Sequence, residues 1–170
     1  MRSFLAAWVV LGLAAVPAQA FDIGDERILL SELKCKKCDL TGVDLSGENL
    51  TGAYLPGADL ASANLRATDF TGADLIYTNL VGADLSNADL ANANVGGADM
   101  TGANLTGADM TFAGMEGTIL NNANLSGVMF DGADLSFAEL KGATIDAGAL
   151  AGAVLCHTVM PDGSRDQSGC

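Results

Sequence analysis

From Leu40 to Leu155, every fifth residue of this chain is apolar. Of these 24 positions, 17 are Leu and the others are Phe, Met, Val or Ile, so the bulk of the side chain is held nearly constant. An α-helix turns by about 100° per residue, so residues five apart would spiral around all of its faces instead of forming one stripe. The period therefore excludes a helical body and predicts a repetitive fold with one core position per unit.

Each five-residue unit has a second, smaller regularity. Two residues before the core position stands a small residue, most often Ala, and the residue between them is usually Asp or Asn, as in Ala58-Asp59-Leu60. This alternation of apolar and polar residues is typical of a short strand. The two remaining residues are mostly Thr or Ser followed by Gly, which tolerates the positive φ of a tight turn. Each unit is therefore predicted to be a strand followed by a corner, and such units must stack as coils to bury their apolar side.

The tandem motif Ala-(Asp/Asn)-Leu-X-X, seen again at Ala103-Asn104-Leu105, resembles the pentapeptide-repeat family over residues 38–157. The resemblance implies an all-β fold, a right-handed quadrilateral β-helix with one pentapeptide per side and four per coil, with the Leu and the small residue inward. Residues 38–157 would then form about six coils. With about 4.8 Å per stacked strand, the rod would be about 29 Å long.

Caps are expected at both ends of this rod, because its terminal coils would otherwise expose unpaired strand edges. Residues 21–37 form the predicted N-terminal cap, in which the acidic start and the apolar residues of 25–33 indicate a short helix. Residues 158–170 form the predicted C-terminal cap or tail, folded back by the Pro161-Asp162-Gly163 turn over part of the last coil.

Residues 1–20 have the three-part form of a secretory signal. Arg2 precedes an apolar run over residues 4–16, and Ala18-Gln19-Ala20 predicts cleavage between Ala20 and Phe21. The apolar run is short for a bilayer span, so no membrane span is expected after cleavage. The mature protein is predicted to be periplasmic or secreted from a bacterium, with an uncleaved anchor as the alternative.

Four cysteines lie near the ends of the chain, at Cys35, Cys38, Cys156 and Cys170. An even number of cysteines in an exported chain favours disulfides. Because the six-coil rod implied by the resemblance separates the two pairs, we expect the bonds Cys35–Cys38 and Cys156–Cys170. Both ends of the chain are also similar to those of exported bacterial members of the family. A thioredoxin-like redox pair at Cys35 and Cys38 is one alternative, although no βαβ pattern surrounds it in the sequence. A zinc site is another, although no second pair of ligands lies nearby at zinc-finger spacing.

The chain is strongly acidic, with a formal net charge of −13 at pH 7. Removal of Arg2 with the signal would leave about −14, and this balance disfavours nucleic acid as a partner. A solvated acidic exterior is the simplest interpretation. One outward column stacks three carboxylates, for which a calcium ion is an alternative without a recognised calcium loop. That column reads Asn49, Asp69, Asp89, Asp109, Met129 and Ala149.

One face of the predicted rod differs from the others, since aromatic side chains flank a stretch of glycine. The candidate partner-binding residues are Tyr54, Ile76, Tyr77, Phe112 and Phe137, and Phe112 is expected on the adjoining face near Phe137. The glycines between them are Gly96, Gly97, Gly114 and Gly117. This face predicts a shallow apolar groove for a partner or a second copy of the chain, against the simpler interpretation of scattered surface apolar residues.

Two titratable residues stand apart from the repeat pattern. Glu48 occupies an inward position in the first coil, so it is expected to contact the N-terminal cap, where the nearest cations in the sequence belong to residues 34–37. His157 is expected at the surface. We predict no catalytic residue, because the Ser and Thr residues are accounted for by corners, and we predict no cofactor and no metal site.

The predicted function is that of an exported, non-enzymatic module, a rigid acidic scaffold that binds an unknown protein or envelope partner as a monomer or homodimer. One alternative is a DNA mimic that binds a type II topoisomerase, an activity that the resemblance brings in from some relatives. The predicted export signal speaks against it. The other alternative is a thiol redox protein that uses Cys35 and Cys38.

Overall fold

The computed structural model describes residues 22–170, so the predicted signal and its cleavage site lie outside the described residues. Helix α1, Ile23–Glu32, begins where the Asp22 carboxylate accepts the N–H of Gly24 at 2.7 Å. It ends at Leu33, which has a left-handed φ of 53°. The helix therefore starts two residues earlier than the predicted range of 25–33, because Asp22 is a good N-cap. No helix within residues 22–170 has the length and apolar character needed to cross a bilayer.

Residues twenty apart pair in parallel throughout the body of the protein. The first bridge joins Lys34 to Tyr54, and the last joins Glu139 to Val159. Four columns of such bridges run along the molecule, beginning at Lys34, Asp39, Asp44 and Asn49. The chain thus returns to the same side after every four pentapeptides, as the family resemblance implies.

Short strands occur only near the C-terminal end of the described residues. Strand β1, Asn124–Leu125, pairs in parallel with β2, Thr144–Ile145. Strand β3, Thr158–Val159, pairs antiparallel with β4, Arg165–Asp166. Because Val159 also bridges Glu139, β4 extends the last coil and covers its edge. The tail therefore folds back, as the Pro161-Asp162-Gly163 turn predicts.

The core is a column of large side chains inside the coils. Every fifth residue from Leu40 to Leu140 is buried, and so is nearly every small residue two positions before it. Where Thr replaces Ala at the inward position, its hydroxyl finds a backbone carbonyl. Thr68 donates to Leu45 at 2.8 Å, and Thr118 donates to Val95 at 2.9 Å. The inward Thr is therefore satisfied without breaking the pattern.

The inward assignment of Glu48 is wrong. Its backbone keeps the register, since Asp69 donates to the Glu48 carbonyl at 3.0 Å, but the residue is exposed. Burying an unpaired carboxylate costs several kcal/mol, so the side chain turns to solvent near the N-terminal end of the rod. Glu48 also forms no ion pair with the cap among residues 22–170.

The coil also departs from the prediction at residues 146–153. Gly148, expected inward, is exposed, while Ala149, expected outward, packs against the core. The N–H of Gly127 is taken by the Asp146 side chain at 2.7 Å instead of by a carbonyl of the next coil. The N–H of Gly132 then reaches the carbonyl of Gly152, one residue beyond the usual spacing. Residues 146–153 are therefore shifted out of the five-residue register of the other units. No further coil stacks on this side within residues 22–170, so the shift disturbs no later pairing.

Candidate functional site: a glycine groove between two aromatic corners

Two exposed aromatic side chains stand in one corner column of the rod. Tyr77 and Phe137 are 74% and 53% exposed, and both have a positive φ, 55° and 60°. Gly97 and Gly117 occupy the same column between them. Because successive coils are about 4.8 Å apart, the three coils that separate the two rings correspond to about 14 Å.

A cavity of about 730 Å³ lies between these rings, and we call it the glycine groove. Its lining residues are Ile76, Tyr77, Asn92, Ala93, Asn94, Gly96, Gly97, Gly114, Glu116, Gly117, Asp134 and Phe137. The groove crosses the side of the rod that carries Asn94, Gly114 and Asp134, three successive members of one bridge column. Its floor is therefore held by the backbone hydrogen bonds of the coil.

The glycines of the groove have two different physical roles. At Gly97, φ is 65° and an added Cβ would lie 2.5 Å from a ring atom of Tyr77, so the ring covers this glycine. At Gly114 the backbone does not require glycine, and an added Cβ would meet the Asn94 amide oxygen at an ordinary 3.6 Å. The absence of a side chain at Gly114 therefore shapes the surface and is not needed for the fold.

The C-terminal end of the groove is anchored by neighbouring elements. The Phe137 ring packs against the His157 ring with a centroid separation of 5.3 Å and a tilt of 32°. The N–H of Phe137 donates to the carbonyl of Cys156 at 2.7 Å, and Cys156 is bonded to Cys170. The position of Phe137 is therefore tied to the C-terminal disulfide.

The groove carries negative charge without a matching cation. Glu116 and Asp134 are both exposed, and the single ion pair among residues 22–170 joins Arg66 to Asp84 at 3.3 Å. One oxygen of Asp134 accepts the N–H of Ser136 at 2.9 Å, which leaves its second oxygen available. The groove thus combines aromatic ends, a glycine floor and two carboxylates.

The predicted partner face is only partly assembled in this groove. Ile76, Tyr77 and Phe137 line it, but Tyr54 and Phe112 do not. Tyr54 is 42% exposed on the same side of the rod, and the 64% exposed Phe112 lies over Gly132. The aromatic pattern alone also missed Glu116 and Asp134. The twenty-residue register would have found Asp134, because it falls in the column of Gly114.

Both predicted cysteine pairs are disulfides in this structure, Cys35–Cys38 and Cys156–Cys170. Possible ligand atoms of Cys156, His157 and Cys170 lie within 4.8 Å of one another, as do those of Asp25, Cys35 and Cys38. A metal ion binds thiolates, however, and each of these sulfurs is bonded to another sulfur. The two clusters are therefore structural in the oxidised protein.

The outward carboxylates have a structural role in closing the corners. The Asp59 carboxylate accepts the N–H of Ala61 at 3.0 Å, and Asp109 accepts that of Thr111 at 2.9 Å. Between coils, the Asn79 amide donates to the Asp59 carboxylate at 3.0 Å. Such bonds account for Asp or Asn at this position in most units, so the acidity of the rod does not by itself indicate a ligand.

A twenty-residue coil built from pentapeptides, with an inward Leu and an inward Ala, defines a β-solenoid protein. The family model described as pentapeptide repeats matches residues 34–72, 68–107, 83–118 and 108–145, which together span more than half of the chain. The chain belongs to the pentapeptide repeat family, whose known fold is a right-handed quadrilateral β-helix. No curated protein sequence is significantly similar to it.

Solved structures that are similar to this chain come from several sources. A pentapeptide repeat protein from the Arabidopsis thaliana thylakoid lumen is 36% identical, with a TM-score of 0.58 over 59% of this chain and 70% of its own. A pentapeptide repeat protein from the cyanobacterium Cyanothece 51142 is 29% identical, with a TM-score of 0.45 over 73% and 95% of the two chains. QnrB1, a plasmid-mediated fluoroquinolone resistance protein, is 23% identical, with a TM-score of 0.60 over 80% and 77%, and shares the fold alone.

Proposed function

We propose that this protein is an exported, non-enzymatic, protein-binding module, a rigid right-handed rod of about six coils that holds its partner in the glycine groove. The observation that carries the proposal is the groove itself. Tyr77 and Phe137 expose large apolar rings to solvent at its two ends, and glycine keeps the space between them open. Exposed aromatic anchors beside an open pocket are typical of residues that dominate protein interfaces.

Rigidity supports a binding role. Gly97 donates to the carbonyl of Glu116 and Gly117 donates to that of Ser136, both at 2.9 Å, so the groove floor is tied to the coil beneath it. Since a partner that binds such a surface does not have to order it, little of the binding free energy is lost. The groove is pre-formed in the unbound protein.

Export is supported by the chemistry of the ends. Two disulfides are stable in oxidising compartments and rare in the cytosol, and the relative from Arabidopsis thaliana is a protein of the thylakoid lumen. The intact mass of the protein from separated compartments of its native cell, measured without reductant, tests this. We expect a chain that begins at Phe21 and is lighter by about four hydrogens than the reduced form. A full-length, reduced chain in the cytoplasm would overturn export.

A redox function receives less support from the same sulfurs. Cys35 and Cys38 are 3% and 8% exposed, and they are bonded to each other. Thiol exchange requires that a thiolate reach one sulfur, and burial hinders that attack. We therefore treat this pair as part of the N-terminal cap. The topoisomerase alternative comes from the family resemblance, and the likeness to the fluoroquinolone resistance protein QnrB1, at 23% identity, is too distant to carry an activity.

The binding function is tested by capture of partners from the compartment in which the mature protein is found. The test variant is Tyr77→Ala with Phe137→Ala, and the control is Tyr54→Ala with Phe112→Ala, which removes two exposed aromatic side chains outside the groove. Cross-linked partners are identified by mass spectrometry, and sedimentation measures self-association. Loss of one defined partner in the test variant alone would support the proposal. Equal behaviour of the two variants would overturn it.

A further inference from the structure

We propose that the occupant of the glycine groove is an extended peptide segment of a partner protein that carries a Lys or Arg side chain. This inference rests on the proposed function and narrows it to one class of partner. It adds the two carboxylates of the groove, which the protein-binding role does not require, to the aromatic rings and the glycines on which that role already rests.

Charge complementarity selects a cationic segment. Glu116 and Asp134 line the groove, and no Lys or Arg of residues 22–170 lines it with them. The chain as a whole carries −13, so its field attracts cations and repels acidic segments. A guanidinium or ammonium group that enters the groove would meet free carboxylate oxygens, since the second oxygen of Asp134 is not used by the corner.

The aromatic rings favour the same class of ligand. The exposed rings of Tyr77 and Phe137 lie at the two ends of the space that contains the carboxylates. A cation is attracted to the face of an aromatic ring within about 6 Å, and its aliphatic stem packs on the same ring. An acidic or purely apolar segment would use the rings but would leave both carboxylates unpaired.

The dimensions of the groove fit an extended segment. The three coils between the two rings span about 14 Å, and an extended chain rises by about 3.3 Å per residue, so four or five residues bridge the rings. Gly114 and Gly117 present no side chain to the space above them, and an added Cβ at Gly117 would meet no atom within 4 Å. A peptide backbone can therefore approach the floor closely while its side chains reach the walls.

The test uses the oxidised mature protein labelled with ¹⁵N and two capped peptides, Ala-Arg-Ala-Arg-Ala and Ala-Glu-Ala-Glu-Ala. The amide signals of Gly96, Gly97, Gly114 and Gly117 report on the groove. We expect a saturable shift of these signals with the arginine peptide only. Glu116→Gln with Asp134→Asn should weaken that binding about tenfold, because two charge pairs at the protein surface are lost.

Filling the groove provides a second variant. Gly114→Leu places a side chain in the groove at a backbone position that accepts a Cβ, and it should abolish the shifts. The matched control is Ala61→Leu, at a column position where the next coil carries Val81. This variant places the same side chain elsewhere on the rod and should bind the peptide as the wild type does. Circular dichroism verifies that both variants are folded.

Several results would overturn the inference. One is a shift of amide signals outside the groove, for example those of Gly72 and Gly107, when the arginine peptide is added. The same holds for a shift of the groove signals that persists in the Glu116→Gln, Asp134→Asn variant. Another is binding of the glutamate peptide in the groove, which would leave the protein-binding function standing. A third is sedimentation as a dimer together with groove signals that move with protein concentration in the absence of peptide, since a second copy of the chain would then be the occupant. Conversely, the arginine peptide could bind in the groove while the Tyr77→Ala, Phe137→Ala variant captures the same partners as its control. That result would overturn the proposed function instead.

Discussion

The carboxylate of Asp25 takes the place of a missing coil above Asp39. Within the rod, the N–H of Asp59 donates to the carbonyl of Cys38 at 2.8 Å. Asp39 has no preceding coil, and its N–H donates instead to the Asp25 side chain at 2.9 Å. Its carbonyl in turn accepts the N–H of Asp22 at 3.2 Å. The start of α1 therefore completes one bridge column and protects its edge.

Asp25→Ala is expected to lower the free energy of unfolding by about 0.5–1.5 kcal/mol, the net contribution of a hydrogen bond whose donor lies at an exposed position that water can reach. Hydrogen exchange at the Asp39 amide should become faster in the same variant. Glu26→Ala is the matched control, because it removes a neighbouring acidic side chain that accepts no hydrogen bond from residues 22–170. Similar exchange at Asp39 in both variants would contradict the capping role.

The contact of Tyr77 with Gly97 is tested by a double-mutant cycle. Gly97→Ala should cost about 1–2 kcal/mol for a left-handed alanine, plus the displacement of the Tyr77 ring. Gly117→Ala has the same backbone cost, with φ of 66° and no atom within 4 Å of the added Cβ. Chemical denaturation should therefore show a larger loss for Gly97→Ala. The excess should vanish in the Tyr77→Ala background, and an excess that persists would place the ring elsewhere.

The inward column is tested at adjacent positions. Leu85→Asp should abolish folding, because it removes the roughly 2–3 kcal/mol of a buried Leu and adds an unpaired buried charge in the middle of the core. Asp84→Asn keeps the oxygen that accepts the N–H of Ser86 and loses only an exposed ion pair with Arg66, so it should stay folded. Circular dichroism on heating distinguishes them. Equal stability would refute the inward assignment.

The C-terminal disulfide is expected to stabilise both the tail and the groove. Cys156→Ser with Cys170→Ser opens a loop of about 15 residues and should cost about 3 kcal/mol. Amide exchange should increase first at Arg165 and at Phe137, whose N–H donates to Cys156. Cys35→Ser with Cys38→Ser is the comparison, since it opens a much shorter loop at the other end. Unchanged exchange at Phe137 would mean that the disulfide does not support the groove.

The pH dependence of stability is predicted at Asp44. The hydroxyl of Ser46, at 2.7 Å, and then its backbone N–H lower the pKa of the Asp44 carboxyl, with a smaller part from the Asn64 amide. A lowered folded-state pKa contributes stability that is present above the unfolded value of about 3.9 and is lost as the pH falls through the folded value. Ser46→Ala should therefore destabilise the protein at pH 7 more than at pH 2.

A matched control for this effect lies in the same column. Ser126 donates to the uncharged Asn124 side chain at 2.8 Å, the same arrangement without a carboxylate. Ser126→Ala should therefore have an effect that does not depend on pH between 7 and 2. Urea denaturation of both variants at the two pH values provides the comparison. A similar pH dependence in both would exclude Asp44 as its source.

The sequence predicts most of the rod because each pentapeptide places its large, small and polar residues in the same order. Leu85 and Ala83 are buried for the same reason as their equivalents elsewhere, so one interpretation applies to all coils. The exceptions occur where a unit lacks a neighbour. Glu48 is in the first coil and Gly148 near the last, and periodicity cannot show that no coil lies beyond them.

The groove was predictable only in part. Its aromatic ends and glycines stand out in the sequence, because Tyr77 stands where Gly is usual and Gly96 stands where Thr or Ser is usual. The charge in the groove does not stand out, since Asp134 is one acidic residue among many in outward positions. Which carboxylates face the groove follows from the three-dimensional register and not from residue type.

The twenty-residue register also determines which changes of chain length this surface can tolerate. Duplication or deletion of a whole coil outside residues 77–137 would change the length of the molecule, but every remaining side chain would stay on the same side of the rod. Insertion of a single pentapeptide between Tyr77 and Gly97 would rotate everything downstream by a quarter turn and move Phe137 to a different side from Tyr77. The groove therefore keeps its geometry only when whole coils of four units are added or removed, although the sequence repeats in units of one.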